Sequence, residues 1–90
     1  MNLLKKIFDM VEVFITNVKS EILSKEILQF LENKYPNLKF NFDLEDFNEL
    51  YPCGHSILRI EGETINTNSI SKQLKSKAIE CELLEDKICV

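Results

Sequence analysis

Glycine, proline and cysteine are scarce in this sequence, and each shortage excludes a class of protein. Two glycines and two prolines among 90 residues exclude collagen-like, loop-dominated and low-complexity disordered chains. The three cysteines, Cys53, Cys81 and Cys89, are an odd number, whereas small disulfide-stapled secreted domains usually have an even number. We therefore expect a reducing, cytoplasmic setting.

Long hydrophobic runs are also missing. The apolar stretch that follows Lys5 and Lys6 is interrupted by Asp9 and Glu12. A membrane span needs on the order of 18 continuous apolar residues, and a signal peptide needs an unbroken apolar core. The sequence therefore predicts neither a leader nor a membrane partner.

An excess of positive charge, the usual mark of a nucleic-acid-binding protein, is lacking too. Eleven basic and fifteen acidic residues give a net charge of −4 and a pI near 5.0. The one basic cluster, Lys72, Lys75 and Lys77, has the spacing of a solvated helix face. Because affinity for nucleic acid depends on neutralised phosphates, we expect no nucleic-acid partner.

What is present is the composition of one globular domain, with 44% hydrophobic and 29% charged residues. A chain of this length has room for a single core, and no internal repeat or linker divides it. We assign residues 1–10 to an N-terminal extension and residues 11–90 to a single domain with a short C-terminal tail.

Hydrophobic periodicity predicts four strands and two helices. Alternation of apolar and polar residues places the strands near residues 11–16, 38–44, 56–61 and 79–83. Val11, Val13 and Ile15 are the predicted core side of the first strand. The helices are predicted near residues 20–34, where Ser20 is the expected N-cap, and 68–77, with a stripe formed by Ile70, Leu74 and Ala78.

The order strand, helix, strand, strand, helix, strand predicts an α+β fold. We expect a ferredoxin-like split βαβ arrangement (βαββαβ), in which two helices cover one face of a four-stranded antiparallel sheet. A mixed sheet with another strand order remains the alternative.

From Val11 to about Leu84 the chain resembles the heavy-metal-associated (HMA) domain family. Residues 15–20 (ITNVKS) lie in the register of the family's metal loop. Ile27 and Leu31 match its helix core, and residues 42–44 (FDL) echo the end of its second strand. The resemblance implies the ferredoxin-like fold of small copper chaperones and of metal-ATPase modules.

The metal loop of that family is degenerate in this chain. Its two cysteines would fall on Ser20 and Leu23, and neither side chain replaces a thiolate as a ligand for copper(I) or zinc. Ser20 is better interpreted as a helix cap and Leu23 as a core residue. The resemblance therefore implies a fold without metal transport, and we expect no cofactor.

Cys53 and His55 form the only pair with metal-ligand chemistry. A thiolate and an imidazole two residues apart can bind one metal from the same side. Their loop is predicted at the end of the sheet where the family holds its metal. A structural zinc site needs about four ligands, so a surface turn is the simpler interpretation and the displaced Cys53/His55 metal site is the alternative.

The sequence contains no set of residues that predicts an enzyme. Cys53 and His55 have no third orienting group, and the isolated Gly54 and Gly62 form no phosphate-binding loop. The acidic residues at 43, 45, 46 and 49 lack the spacing of a calcium loop. They are interpreted as a solvated acidic segment.

The sheet face that no helix covers is the predicted functional surface. Phe14 and Ile57 are expected at its apolar centre, with Arg59 as a directional charge at the rim, the layout of a protein-contact patch. The remaining residues assigned to this face are Glu12, Thr16, Lys39, Asn41, Asp43, Glu61, Glu80 and Glu82. The sequence thus predicts a non-enzymatic binding or regulatory module that contacts a protein partner or a second copy.

Overall fold

The computed structural model describes residues 10–44, 50–51 and 54–84. In chain order its elements are β1 (Met10–Thr16), α1 (Glu21–Lys34), β2 (Lys39–Asp43), β3 (Ser56–Gly62), α2 (Thr67–Ser76) and β4 (Cys81–Leu83). The predicted α+β class, with two helices and a four-stranded antiparallel sheet, is confirmed in this part of the chain. Met10, assigned to the extension by the sequence, is the first residue of β1.

The sheet has the strand order β2-β3-β1-β4, and every neighbouring pair is antiparallel. β1 pairs with β3 along its full length, from Met10 opposite Gly62 to Thr16 opposite Ser56. On its other side it pairs with the short strand β4. β1 and β2 therefore run in the same direction with β3 between them, and β2 and β4 are the outer strands.

Each helix begins at a polar cap that the local sequence supplies. The Ser20 side chain accepts a hydrogen bond from the backbone N–H of Leu23 at 3.1 Å, as predicted. The Asn66 side chain accepts one from the N–H of Ser69 at 3.0 Å, which starts α2 one residue earlier than the predicted boundary. Such bonds satisfy amides that the first helical turn leaves without partners.

The core lies between the helices and one face of the sheet, which we call the helix face. Directly opposite residues of antiparallel strands point to the same side of a sheet, so the register defines the membership of this face. Its buried residues include Phe14, Phe40, Leu58, Ile60 and Cys81, which cluster with Ile27 and Leu31 of α1 and Ile70 and Leu74 of α2.

The placement of Phe14 on the face that no helix covers is wrong. Phe14 pairs with Leu58, belongs to the core cluster and is only 1% exposed. Glu12 and Thr16 share its side of β1, whereas Val11, Val13 and Ile15 point to the opposite side. The error has a physical cause, because a central strand with apolar residues on both sides has no clear polar face for its alternation to reveal.

Ala78 is not part of the apolar stripe of α2, contrary to the prediction, but ends the helix. It has a left-handed backbone with φ of 63°. The N–H of Ala78 donates to the carbonyl of Lys75, and the N–H of Ile79 donates to the carbonyl of Leu74. This is the Schellman pattern of helix termination, and the buried pair Ile79 and Leu74 supplies its usual hydrophobic contact.

Because Phe14 is a core residue, we expect Phe14→Ala to lower the free energy of unfolding by about 3–5 kcal/mol. Phe40→Ala, on the same face, should cost a similar amount. Val11→Ala at a half-exposed site of the same strand is the control and should cost well under half as much. Urea unfolding followed by circular dichroism measures all three. A loss below about 1 kcal/mol for Phe14→Ala would contradict the assignment of β1.

Candidate interaction surfaces

The sheet face opposite the helices, which we call the second face, combines apolar and charged side chains. Neither described helix packs on it. The register places ten described residues there: Val11, Val13 and Ile15 of β1, Lys39, Asn41 and Asp43 of β2, Ile57, Arg59 and Glu61 of β3, and Glu82 of β4. The apolar members lie on the central strands, and β2 and β4 contribute polar ones.

Burial on the second face differs from residue to residue. Ile15 is fully buried, Val13 and Ile57 are half-buried, and Val11 is 50% exposed. Ile57 thus lies on the predicted face, opposite Ile15. The apolar part of the surface that remains open to contact is formed by Val11, Val13 and Ile57 rather than by the predicted pair of Phe14 and Ile57.

Arg59 lies on the second face as predicted, and its guanidinium is already engaged. Its Nε donates a hydrogen bond to Oε2 of Glu61 at 3.0 Å, and both side chains remain open to solvent. An exposed pair of this kind stabilises the fold by less than about 1 kcal/mol. The pair lines a shallow groove of about 400 Å³ between β2 and β3, where it fixes the orientation of the charge.

The structure brings the loops beside β1, β3 and β4 together at one end of the sheet. Two hydrogen bonds link Asn17, which follows β1, to Glu80, which precedes β4. The N–H of Asn17 donates to the carbonyl of Glu80, and the side-chain oxygen of Asn17 accepts from the N–H of Glu80. The hydroxyls of Thr16 and Ser56 are hydrogen-bonded to each other in the interior. The Thr16 hydroxyl also accepts from the N–H of Val18 at 3.2 Å, so this buried polar pair is satisfied.

The displaced metal site is only partly within the described residues. Cys53 lies outside them. His55 precedes β3, is half-buried and has interactions of its own. In the described part of the chain no group of three metal-ligating side chains comes together. Ser20 and Leu23, at the family's cysteine positions, are the cap and a core-packed residue of α1, as predicted.

A cavity beside β4 was not predicted from the sequence. It has a volume of about 620 Å³ and is lined by Tyr51, Lys75, Ala78, Ile79, Glu80, Cys81 and Glu82. The Tyr51 hydroxyl is buried, and within the described part of the chain it has no hydrogen-bond partner. Nothing in the loop sequence around Tyr51 indicates this position, because no periodic pattern extends into it.

Two weak acids at this cavity favour their neutral forms. Burial raises the pKa of Tyr51 from 10.0 to about 12, reinforced by the charge of Glu82, by that of Cys81 once its thiol ionises at high pH, and by that of Glu80. Burial likewise raises the pKa of the Cys81 thiol, against the lowering effects of a hydrogen bond with Ser71 and of the Lys75 charge. A thiol held neutral is a poor nucleophile, so Cys81 acts as a core residue.

The basic cluster is solvated, but one of its members also has a structural contact. Lys72, Lys75 and Lys77 are all exposed. The ammonium of Lys77 lies 4.2 Å from the centre of the Phe30 ring of α1, a cation–π contact that links the end of α2 to α1.

Comparison of the chain with protein-family models, with curated proteins and with solved structures finds no match. Within residues 10–44, 50–51 and 54–84, no helix is both long and apolar enough to cross a membrane.

We expect the protein to fold without metal and to gain little stability from copper(I) or zinc, because no thiolates occupy the family's positions. Tight binding would raise the free energy of unfolding by roughly 4 kcal/mol at a thousandfold excess over Kd. Differential scanning calorimetry with and without each metal measures this. A large rise in Tm that Cys53→Ser and His55→Ala abolish would instead establish the displaced site.

Tyr51→Phe should leave the protein at least as stable at pH 7, since the change removes a buried hydroxyl that has no hydrogen-bond partner among the described residues. In the unfolded chain the phenol ionises near pH 10, and in the folded protein near pH 12. The free energy of unfolding is therefore unaffected by the titration of this group below pH 10 and falls as the pH rises from 10 towards 12, because over that range the unfolded chain loses the phenolic proton and the folded protein keeps it. Urea unfolding across this range should show a steeper loss for the wild type than for Tyr51→Phe. Equal slopes would contradict the assigned environment.

Proposed function

We propose that this protein is a small, non-enzymatic, cytoplasmic binding or regulatory module that holds a protein partner on its second face. The observation that carries the proposal is the composition of this face. Val11, Val13 and Ile57 offer apolar surface on the two central strands, and the register places charged side chains of both signs directly opposite them: Glu61, Arg59 and Asp43. An apolar centre with a polar rim is the usual anatomy of a protein–protein interface.

The proposed scaffold is the ferredoxin-like split βαβ arrangement of an HMA-like domain with a degenerate metal-binding motif. Two features of the sheet support it. β3 lies between β1 and β2, and β1 lies between β3 and β4, so the two βαβ units interleave. The cap at Ser20 and the packed side chain of Leu23 agree with a metal loop that has become an ordinary helix start.

The partner that this face fits is a folded protein rather than a nucleic acid or a membrane surface. Among the described residues of this face, Lys39 and Arg59 are the cations and Asp43, Glu61 and Glu82 are the anions. This balance does not favour a phosphate backbone or anionic lipid. A partner with an apolar centre and charges of both signs would match it. A metal-binding role through Cys53 and His55 remains the alternative proposal, tested by the calorimetry described above.

The proposal predicts that second-face substitutions remove a partner without unfolding the protein. Ile57→Ser and Val11→Ser should each lower partner retention at least tenfold, because each removes apolar contact area from the centre of the patch. Ile22→Ser is the matched control, since Ile22 is an apolar residue of α1 that is 73% exposed. Affinity capture with quantitative mass spectrometry compares the four proteins, and Tm values confirm that each is folded.

Capture alone does not decide the question. A captured partner that binds the Ile22→Ser variant but neither second-face variant should then be purified. It should be added to an isotopically labelled sample of this chain. Chemical-shift changes confined to β1, β3 and β2 on the second face would support the proposal. Chemical-shift changes confined to the helices would refute the proposal. So would the failure to find any partner that is lost with both second-face variants and kept with Ile22→Ser.

A further inference from the structure

The outer strand β2 has a sequence that is complementary to itself. Its five residues, Lys39 to Asp43, read KFNFD, with a cation at one end, an anion at the other and Asn41 at the centre. β2 is at the end of the strand order, and among the described strands only β3 pairs with it. Its outer backbone N–H and C=O groups are therefore not used by the described sheet.

An unpaired strand edge can pair with a strand of another molecule. Proteins usually prevent such pairing by placing charged side chains along the edge. Like charges along an edge repel a second copy in every register. Lys39 and Asp43 have opposite signs and lie at equal distances from Asn41. Within the described residues neither side chain forms an ion pair, and both are exposed. This edge therefore attracts a second copy in the one register that brings unlike charges together.

We propose that two copies of this chain pair antiparallel through β2, around a two-fold axis at Asn41. In this register Lys39 of each copy lies opposite Asp43 of the other, and Phe40 lies opposite Phe42. The two Asn41 residues face each other. The resulting sheet has eight strands, with the helices of both copies on the same side. A C2 interface must be complementary to itself in this way.

Other registers are disfavoured either by the faces of the sheet or by the charges at the ends of the strand. A shift of one residue would place the side chains of the helix face opposite those of the second face, and Phe40 is 3% exposed beneath the helices. A two-fold axis at Phe40 or Phe42 keeps the faces matched, but it pairs fewer residues and separates Lys39 from Asp43. Parallel pairing in register would place Lys39 beside Lys39 and Asp43 beside Asp43 of the second copy, so that like charges would be adjacent.

The dimer shares Lys39 and Asp43 with the polar rim of the second face, but backbone groups at the edge of the sheet form it and it does not use Val11 or Ile57. The contact is a single five-residue strand, so the interface is small and the expected Kd is roughly micromolar or weaker. The charge pairs are exposed, so the dimer should weaken as salt rises.

The test is sedimentation equilibrium of the full chain from about 1 µM to about 1 mM, with two single charge reversals. Lys39→Glu gives two anions at the ends of the strand, and Asp43→Lys gives two cations. Each should weaken the homodimer at least tenfold. An equimolar mixture of the two variants should restore dimers, as heterodimers, because every end pair again joins unlike charges. The double variant with Lys39→Asp and Asp43→Lys should also dimerise.

Matched controls change the net charge by the same amount elsewhere. Glu82→Lys on β4 matches Asp43→Lys, and Lys72→Glu on α2 matches Lys39→Glu; both should dimerise like the wild type. Ile57→Ser should also dimerise like the wild type, and this result separates the test of the dimer from the test of the partner site. A wild type that stays monomeric throughout the range would overturn the proposal. So would a mixture of the two reversal variants that remains monomeric while the wild type dimerises.

Discussion

β1 is the strand that pairs with β3 along its full length and with β4 through its last three residues, and the rest of the structure depends on these pairings. β3 pairs along one side and β4 along the other. Phe14 enters the helix-facing core, and the adjacent Ile15 is fully buried on the opposite face. At Phe14 and Ile15 the strand needs apolar residues on both sides, because both faces remove these side chains from water, whereas Val11 on the second face stays half exposed. The other strands bury mainly their helix-facing side, so their polar residues are on the second face.

Whether a strand has apolar residues on one side or on both also decides how far the sequence predicts the fold. β2 has strict alternation and one polar side, and its range and orientation were predicted closely. The helix starts could also be predicted, since Ser20 and the polar run before α2 supply side-chain oxygens that cap amides. In β1, by contrast, Val13, Phe14 and Ile15 are consecutive apolar residues. Either side is then plausible as the core side, and only the pairing with Leu58 and Ile57 distinguishes them.

The candidate sites were predictable to different degrees for similar reasons. Ile57 and Arg59 follow from the regular alternation of β3, so their place on the second face could be predicted. The cavity at Tyr51 could not, because it joins a loop, a helix end and an edge strand that are far apart in the sequence. The role of Ala78 at the end of α2 was not predicted either, because its spacing from Ile70 and Leu74 is that of an apolar stripe. A left-handed residue is usually glycine, and alanine gives no such signal.

The long sequence separations within the sheet affect how the chain folds as it is synthesised. Thr16 and Ser56, which share a buried hydrogen bond, are 40 residues apart, and Asn17 is 63 residues from its partner Glu80. β1 therefore leaves the ribosome before either neighbouring strand exists. The turn between α2 and β4 is local and can form as soon as it emerges, whereas the central strand must wait for distant partners. Until they arrive, its two apolar sides and two unpaired edges are the part of the nascent chain most open to wrong pairing.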